Sequence, residues 1–154
     1  PDCAAFGENL TVTGLTETDV HIGDTFRVGT CTVQVCQPRT PCSKLAIRFG
    51  RRDMAVLMQD TGFTGYLLRI LETGTIGAGD SMTLIDREAH GITVAAAGRT
   101  VSVDRNDLEA ARTLLALPAL GSAVRRTLKA RVAEQTAPGA LPLGLDERRL
   151  FGAD

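Results

Sequence analysis

The sequence predicts a β-rich domain over residues 1–90, a small all-α unit of three helices over 91–136, and a Pro/Gly-rich tail over 137–154. Three observations support this division. Apolar residues alternate through "TFRVGTCTVQVCQ". The pattern turns helical after Gly91. Pro and Gly crowd "TAPGALPLGLDERRLFGAD".

The elements follow in order. Phe26 and Val28 share one face of a first strand, and Cys31, Val33 and Val35 one face of a second. Gly29-Thr30 between them suits a two-residue, Gly-first hairpin turn. Cys31 and Cys36 lie an odd number apart, so they point to opposite faces. "QPRTPC" then reads as a rigid loop. In "RRDMAVLMQDTG", Met54, Leu57 and Met58 have helical spacing and Gly62 is placed to end the helix. "GYLLRILETG" and "SMTLIDRE" read as two further strands. "GTIGAGD" joins them as a turn, since no helix follows it as a dinucleotide fingerprint requires. The helical pieces are residues 94–100, a second helix opening near Asp104 as N-cap and stopped by Pro118, and a third opening at Ser122. The second buries Leu108, Ala111, Leu114 and Leu115. The third runs Val124, Leu128, Val132, with Arg125, Arg126, Lys129 and Arg131 on a face that reads as solvated, or else as a weak phosphate or partner contact. Leu108, Leu115, Val124 and Leu128 would give these helices an apolar seam of their own.

Composition narrows the function classes. With 154 residues and 44 % hydrophobic content, one globular domain or a domain with an appendage is supported. A net charge of −1, no Trp and 4 % aromatics argue against nucleic acid as a partner. No apolar run nears the roughly 20 residues of a membrane span. The opening "PDCAAFGENL" has neither a basic nor an apolar signal region. It has no initiator Met and reads as the interior of a longer product. Four cysteines in this length are too few for a disulfide scaffold, so a reducing cytoplasm is expected.

The chemistry-bearing residues cluster in two stretches. In "QVCQPRTPCSKL", Cys42 follows Pro41, with Arg39 and Lys44 beside it. Two fixed cations favour a thiolate by lowering its pKa, and thiolate is the form that ligates soft metals. The same spacing is open to a buried, inert cysteine. In "FGENL", Phe6, Gly7, Glu8 and Asn9 offer a close backbone approach and polar side chains, or else a plain turn. Zinc is disfavoured, because there is no C-x₂-C pair and only His21 and His90 supply imidazole. His21 reads as a surface strand residue and His90 as structural.

Taken in order, "FGENL", "GLTETDVHIGDTFRVG", "QVCQPRTPCSKL" and "GYLLRILETGTIGAGDSMTLIDRE" resemble a MOSC domain, named for the C-terminal domain of molybdenum cofactor sulfurase. The helical part resembles the three-helix extension of a bacterial stand-alone subgroup. The resemblance spans about residues 5 to 135. It implies a β-barrel, here N-terminally incomplete, because the family's longer β-rich opening segment has no counterpart in the sequence. It also implies binding of molybdenum cofactor, with Cys42 as metal ligand and catalytic residue, and Phe6, Gly7, Glu8, Asn9, Arg39 and Lys44 as cofactor contacts. The implied activity is reduction of small N-hydroxylated substrates with electrons from a separate donor protein. The alternative is a non-catalytic carrier of cofactor, or of sulfur as a persulfide on Cys42. Open strand edges leave room for a homodimer.

Overall fold

The computed structural model describes residues 4–136; Cys3 and the tail lie outside them. Strands β1 (Thr25–Val28) and β2 (Cys31–Pro38) form the hairpin. Val28 faces Cys31, which leaves Gly29-Thr30 as the two-residue turn. Gly29 sits at φ 56, and a Cβ there would collide with the Thr75 carbonyl. The close approach is built by the Gly-rich turn, which folds over the hairpin tip. Thr30 N–H donates to the Thr75 carbonyl at 3.1 Å, and Thr75 N–H donates to Thr30 Oγ1 at 2.8 Å.

β3 (Tyr66–Glu72) pairs with β2, and β4 (Met82–Asp86) pairs with β1. The result is a four-stranded antiparallel sheet in the order β3-β2-β1-β4. It is open, not closed into a barrel. Its two edge strands carry exposed apolar side chains, with Ile70 64 % and Ile85 50 % exposed.

Between β2 and β3 lie α1 (Lys44–Phe49) and α2 (Met54–Thr61). The sequence pattern gave no sign of α1, which is under two turns long. α2 ends as expected at Gly62, whose φ is 78. After the sheet come α3 (Val94–Ser102), α4 (Leu108–Ala116) and α5 (Ser122–Thr136). Asp107, not Asp104, caps α4 by accepting the Ala110 N–H at 2.9 Å. Asp104 instead takes both arms of Arg99, each at 3.1 Å.

Two expectations about the helices are overturned. They keep no separate apolar seam. Val94, Ala97, Leu114, Val124 and Leu128 join Phe26, Val33 and Val35 in one continuous core, while Leu108 and Leu115 are only half-buried. Nor is the basic face of α5 wholly solvated. Arg131 is buried and donates to the Thr100 and Val101 carbonyls at 2.7 and 2.6 Å. Arg125 donates to those of Leu115 and Leu117 at 2.7 and 2.5 Å. The last carbonyls of a helix have no partner within it, so α5 supplies the C-terminal caps of both α3 and α4.

A polar knot joins the sheet to α3. Asp24 is fully buried. Its carboxylate accepts from Arg87 Nε at 2.8 Å and Nη2 at 2.6 Å, and from the His21 N–H at 2.8 Å. His21 is not a surface strand residue. It forms an isolated bridge with Thr93, and its Nδ1 is buried with no hydrogen-bond partner. His90 is structural as expected. Its Nδ1 accepts the Ile92 N–H at 2.9 Å, so Nε2 carries the proton and donates to the Ile22 carbonyl at 2.8 Å.

The knot predicts an asymmetry. Arg87→Ala strands a buried carboxylate without its cation and is expected to cost about 3–5 kcal/mol. Asp24→Ala leaves a guanidinium that is 39 % exposed and reaches water, so about 1.5–3 kcal/mol is expected. Urea midpoints of the two variants check the order, and equal losses would contradict it.

Tyr66 gives a pH signature. Its hydroxyl donates to the Leu15 carbonyl at 3.2 Å. Burial first, then the charges of Glu17, Asp24 and Asp19, push its pKa up from 10.0 to about 12. The unfolded chain therefore loses this proton first as pH rises. The stabilisation is intact below about pH 10 and is lost as pH climbs toward about 12. Tyr66→Phe should make unfolding midpoints fall less steeply across that window than in the parent, and identical slopes would refute the assignment.

Candidate thiol site at the end of strand β2

β2 pairs with β1 over Cys31–Gln34 and with β3 from Thr32 to Pro38, so β3 alone carries the strand to the point where the chain leaves it. Pro38 and Pro41 are buried and Cys42 between Pro41 and α1 is exposed. The Arg39 N–H donates to the Gly65 carbonyl at 2.9 Å and ties the loop start to the entry of β3. Glu17, itself buried, accepts the Gly65 N–H at 2.6 Å from the other side. Leu45 is buried and anchors α1. Lys44 and Arg48 stand one turn apart on the same exposed face of α1.

The other two cysteines of the described residues are occupied differently. Cys31 is buried in the main core. At Cys36 the β2–β3 register slips between Val35 and Gln37, so this residue is the extra one of a bulge. Its Sγ donates to the Leu67 carbonyl at 3.3 Å. Burial pushes its thiol pKa up, with the Arg69 guanidinium pulling the other way.

The "FGENL" stretch is brought to the loop. Gly7 at φ 75 makes the turn, and the Glu8 carboxylate accepts the Phe6 N–H at 2.9 Å. Its own amide first, with the amides of Phe6 and Ala5 and the Thr11 hydroxyl adding to it, holds the Glu8 carboxyl below its usual range against desolvation. An Arg39 Nη2–H donates to the Phe6 carbonyl. The Phe6 ring lies 5.1 Å from that of Phe49, tilted by 34°. Phe6, Glu8, Arg39 and the Cys42 loop are thus drawn into one neighbourhood, with Asn9 exposed on the turn and Lys44 at the start of α1.

Sequence reasoning missed two contributors. Arg48 continues the cationic face of α1, a signal hidden because α1 itself was unrecognised. A cleft beside the loop is lined by Arg39 and Thr40, by Gln59 and Thr64, and by Gly98, Arg99 and Ser102 of α3. The helical part therefore walls the same region as the motif loop. No spacing rule could have shown that.

Comparison with known proteins decides the family. Residues 2–83 match the MOSC domain, and residues 92–135 match the YiiM-like, 3-alpha helix domain. The chain belongs to the MOSC domain family. Bacillus subtilis YflK, described as an uncharacterized protein, is 47 % identical over 122 residues, covering 79 % of this chain and 55 % of YflK. Escherichia coli YiiM is 47 % identical over 83 residues, covering 54 % of this chain and 37 % of YiiM. A Gibberella moniliformis protein named reductase is 38 % identical over 87 residues, covering 56 % of this chain and 16 % of that protein. The crystal structure of YiiM from Geobacillus stearothermophilus superposes with a TM-score of 0.83 at 37 % identity, covering 86 % of this chain and 68 % of that one. This MOSC chain thus spans 55 % and 37 % of the two bacterial relatives' lengths.

The donor set of the MOSC domain can be tested against a metal cofactor. Among the described residues no three His, Cys, Asp or Glu side chains converge to hold a metal ion. Among these residues the exposed thiol is that of Cys42, with Arg39 and Lys44 near it in the sequence, rather than a cage. That fits a metal arriving with its own organic, anionic ligands and needing one soft protein ligand.

The accessibility pattern predicts the labelling order. Iodoacetamide should modify Cys42 in the native protein, and Cys31 and Cys36 only in denaturant. Peptide mass mapping reads this directly. Native labelling of Cys36 at the rate of Cys42 would contradict the burial described here.

Proposed function

We propose that this MOSC domain binds molybdenum cofactor through the Cys42 thiolate and serves the reduction of N-hydroxylated compounds, with electrons from a separate donor protein. The observation that carries the reading is Cys42 itself. It is the exposed cysteine of the described set, held in a Pro-bounded loop beside Arg39 and Lys44, while Cys31 and Cys36 are buried. The kinship with a protein named reductase supports a redox role.

When bound, the cofactor supplies a two-electron centre able to remove oxygen from an N-hydroxyl group. The chain's own residues bind and orient. Cys42 offers a soft ligand on a loop with little freedom to lose. Lys44 and Arg48 present positive charge to an anionic group. Arg39 spends one N–H on Phe6, and a guanidinium carries five. The Phe6–Asn9 turn meets the loop through the Arg39 contact with the Phe6 carbonyl. An accessible thiol also suits a persulfide carrier, which the same variant separates.

The test is Cys42→Ser, with molybdenum content and N-hydroxylaminopurine reduction measured per bound metal. A hydroxyl is a poor substitute for a soft sulfur, so turnover should be abolished and metal retention should fall. A wild-type rate per molybdenum would remove Cys42 from the mechanism. Cys42-dependent sulfane sulfur in a protein that neither holds molybdenum nor turns over would establish the carrier instead.

A further inference from the structure

We infer that Phe6 is a clasp that pins both ends of the Cys42 segment, its carbonyl held by Arg39 and its ring by Phe49. Arg39 precedes the thiol and Phe49 closes the helix that follows it. Both reach the same residue, from a part of the chain remote in sequence. The Phe6 backbone is itself fixed. Its N–H donates to Glu8 at 2.9 Å, and the Gly7 N–H donates to the Ala4 carbonyl at 3.0 Å.

Few side chains of the segment are themselves buried. Between Arg39 and Phe49, only Pro41 and Leu45 are buried, while Thr40, Cys42, Ser43, Lys44, Ile47 and Arg48 are exposed. A loop anchored at two points by one neighbour has fewer conformations than one anchored at its start alone. The two motifs therefore order together, as one locally cooperative unit on the end of the sheet. Arg39 is in this respect a positioning residue. Its role toward Phe6 uses the backbone carbonyl and does not depend on which ligand the thiol takes, so it stands or falls apart from the cofactor reading.

The experiment is hydrogen exchange read by mass spectrometry on the full chain. Parent, Arg39→Ala, Phe49→Ala and Arg39→Lys are compared, with Cys42 alkylation rates measured alongside. Arg39→Ala and Phe49→Ala should each accelerate exchange in both segments, residues 6–10 and 40–49, by about 10-fold or more, and the alkylation rate should rise with it. Amides of the β1–β2 pairing should keep their protection, which shows that the fold is intact. Arg39→Lys should restore most of the protection at 6–10, because one ammonium donor suffices for one carbonyl. If Phe49→Ala fails to fold, Phe49→Leu keeps the apolar bulk and removes the ring pair. Arg39→Ala loosening its own loop while residues 6–10 exchange as in the parent would overturn the clasp. So would a Phe49 variant that leaves residues 6–10 unchanged.

Discussion

A carboxylate with no access to water constrains the whole molecule. Asp24 closes the entry to β1, and burial of its charge is tolerable only with a cation and further donors in place. Arg87, just past the end of β4, supplies the cation with two hydrogen bonds, and its Nη2 also donates to the Asp19 carbonyl at 2.9 Å. The end of the last strand is thereby fastened to the segment before the first. The backbone between Glu17 and Asp24 is then presented to α3, where Val94 N–H reaches the Val20 carbonyl at 2.8 Å and Ala95 N–H the Glu17 carbonyl at 2.8 Å. The sheet and the helices meet along a strap held at both ends.

That strap explains why a chain with two sequence characters folds around one core. α3 cannot turn away from the sheet without breaking the Val94 and Ala95 bonds, so its apolar face is committed to Phe26, Val33 and Val35. α5 then fastens α3 and α4 through Arg131 and Arg125. It uses charged side chains where an amphipathic pattern alone would have placed them in water. The same geometry brings Arg99 and Ser102 to the cleft beside Arg39. A β-rich module and its helical extension thus share a wall.

Much of this was legible in the sequence, for identifiable reasons. Alternation fixed the β1–β2 hairpin, because period-2 burial needs nothing beyond the strand itself. Gly62 and Ser122 marked a helix end and a helix start through local backbone chemistry. The cap at Asp107 was missed because Asp104 satisfies the same local rule, while its carboxylate is taken by Arg99 in the last turn of α3. Arg131 was misplaced because its partners are the carbonyls of another helix. α1 escaped because a helix under two turns long shows no period. For the site, the motif stretches gave the Cys42 loop and the Phe6–Asn9 turn, but that they touch, through Arg39 and Phe49, is a long-range fact that spacing does not encode.

The placement of the three described cysteines follows from the mechanics of β2. The strand gives a buried position for Cys31, paired with β1, and a bulge position for Cys36 on the β3 side, and at both the thiol is enclosed by packing or by the Leu67 carbonyl. A thiol that must meet a ligand has to leave the ladder, yet a free loop would not aim it. The two prolines resolve this conflict: each fixes φ, and each is buried, so the chain exits β2 stiffly and returns to the protein before Cys42. α1 begins two residues later and takes up the direction. The exposed thiol therefore sits between a strand end and a helix start, both of which are held. Lengthening that loop with glycines would leave the cysteine just as exposed but no longer directed, which is the distinction between an accessible thiol and a site.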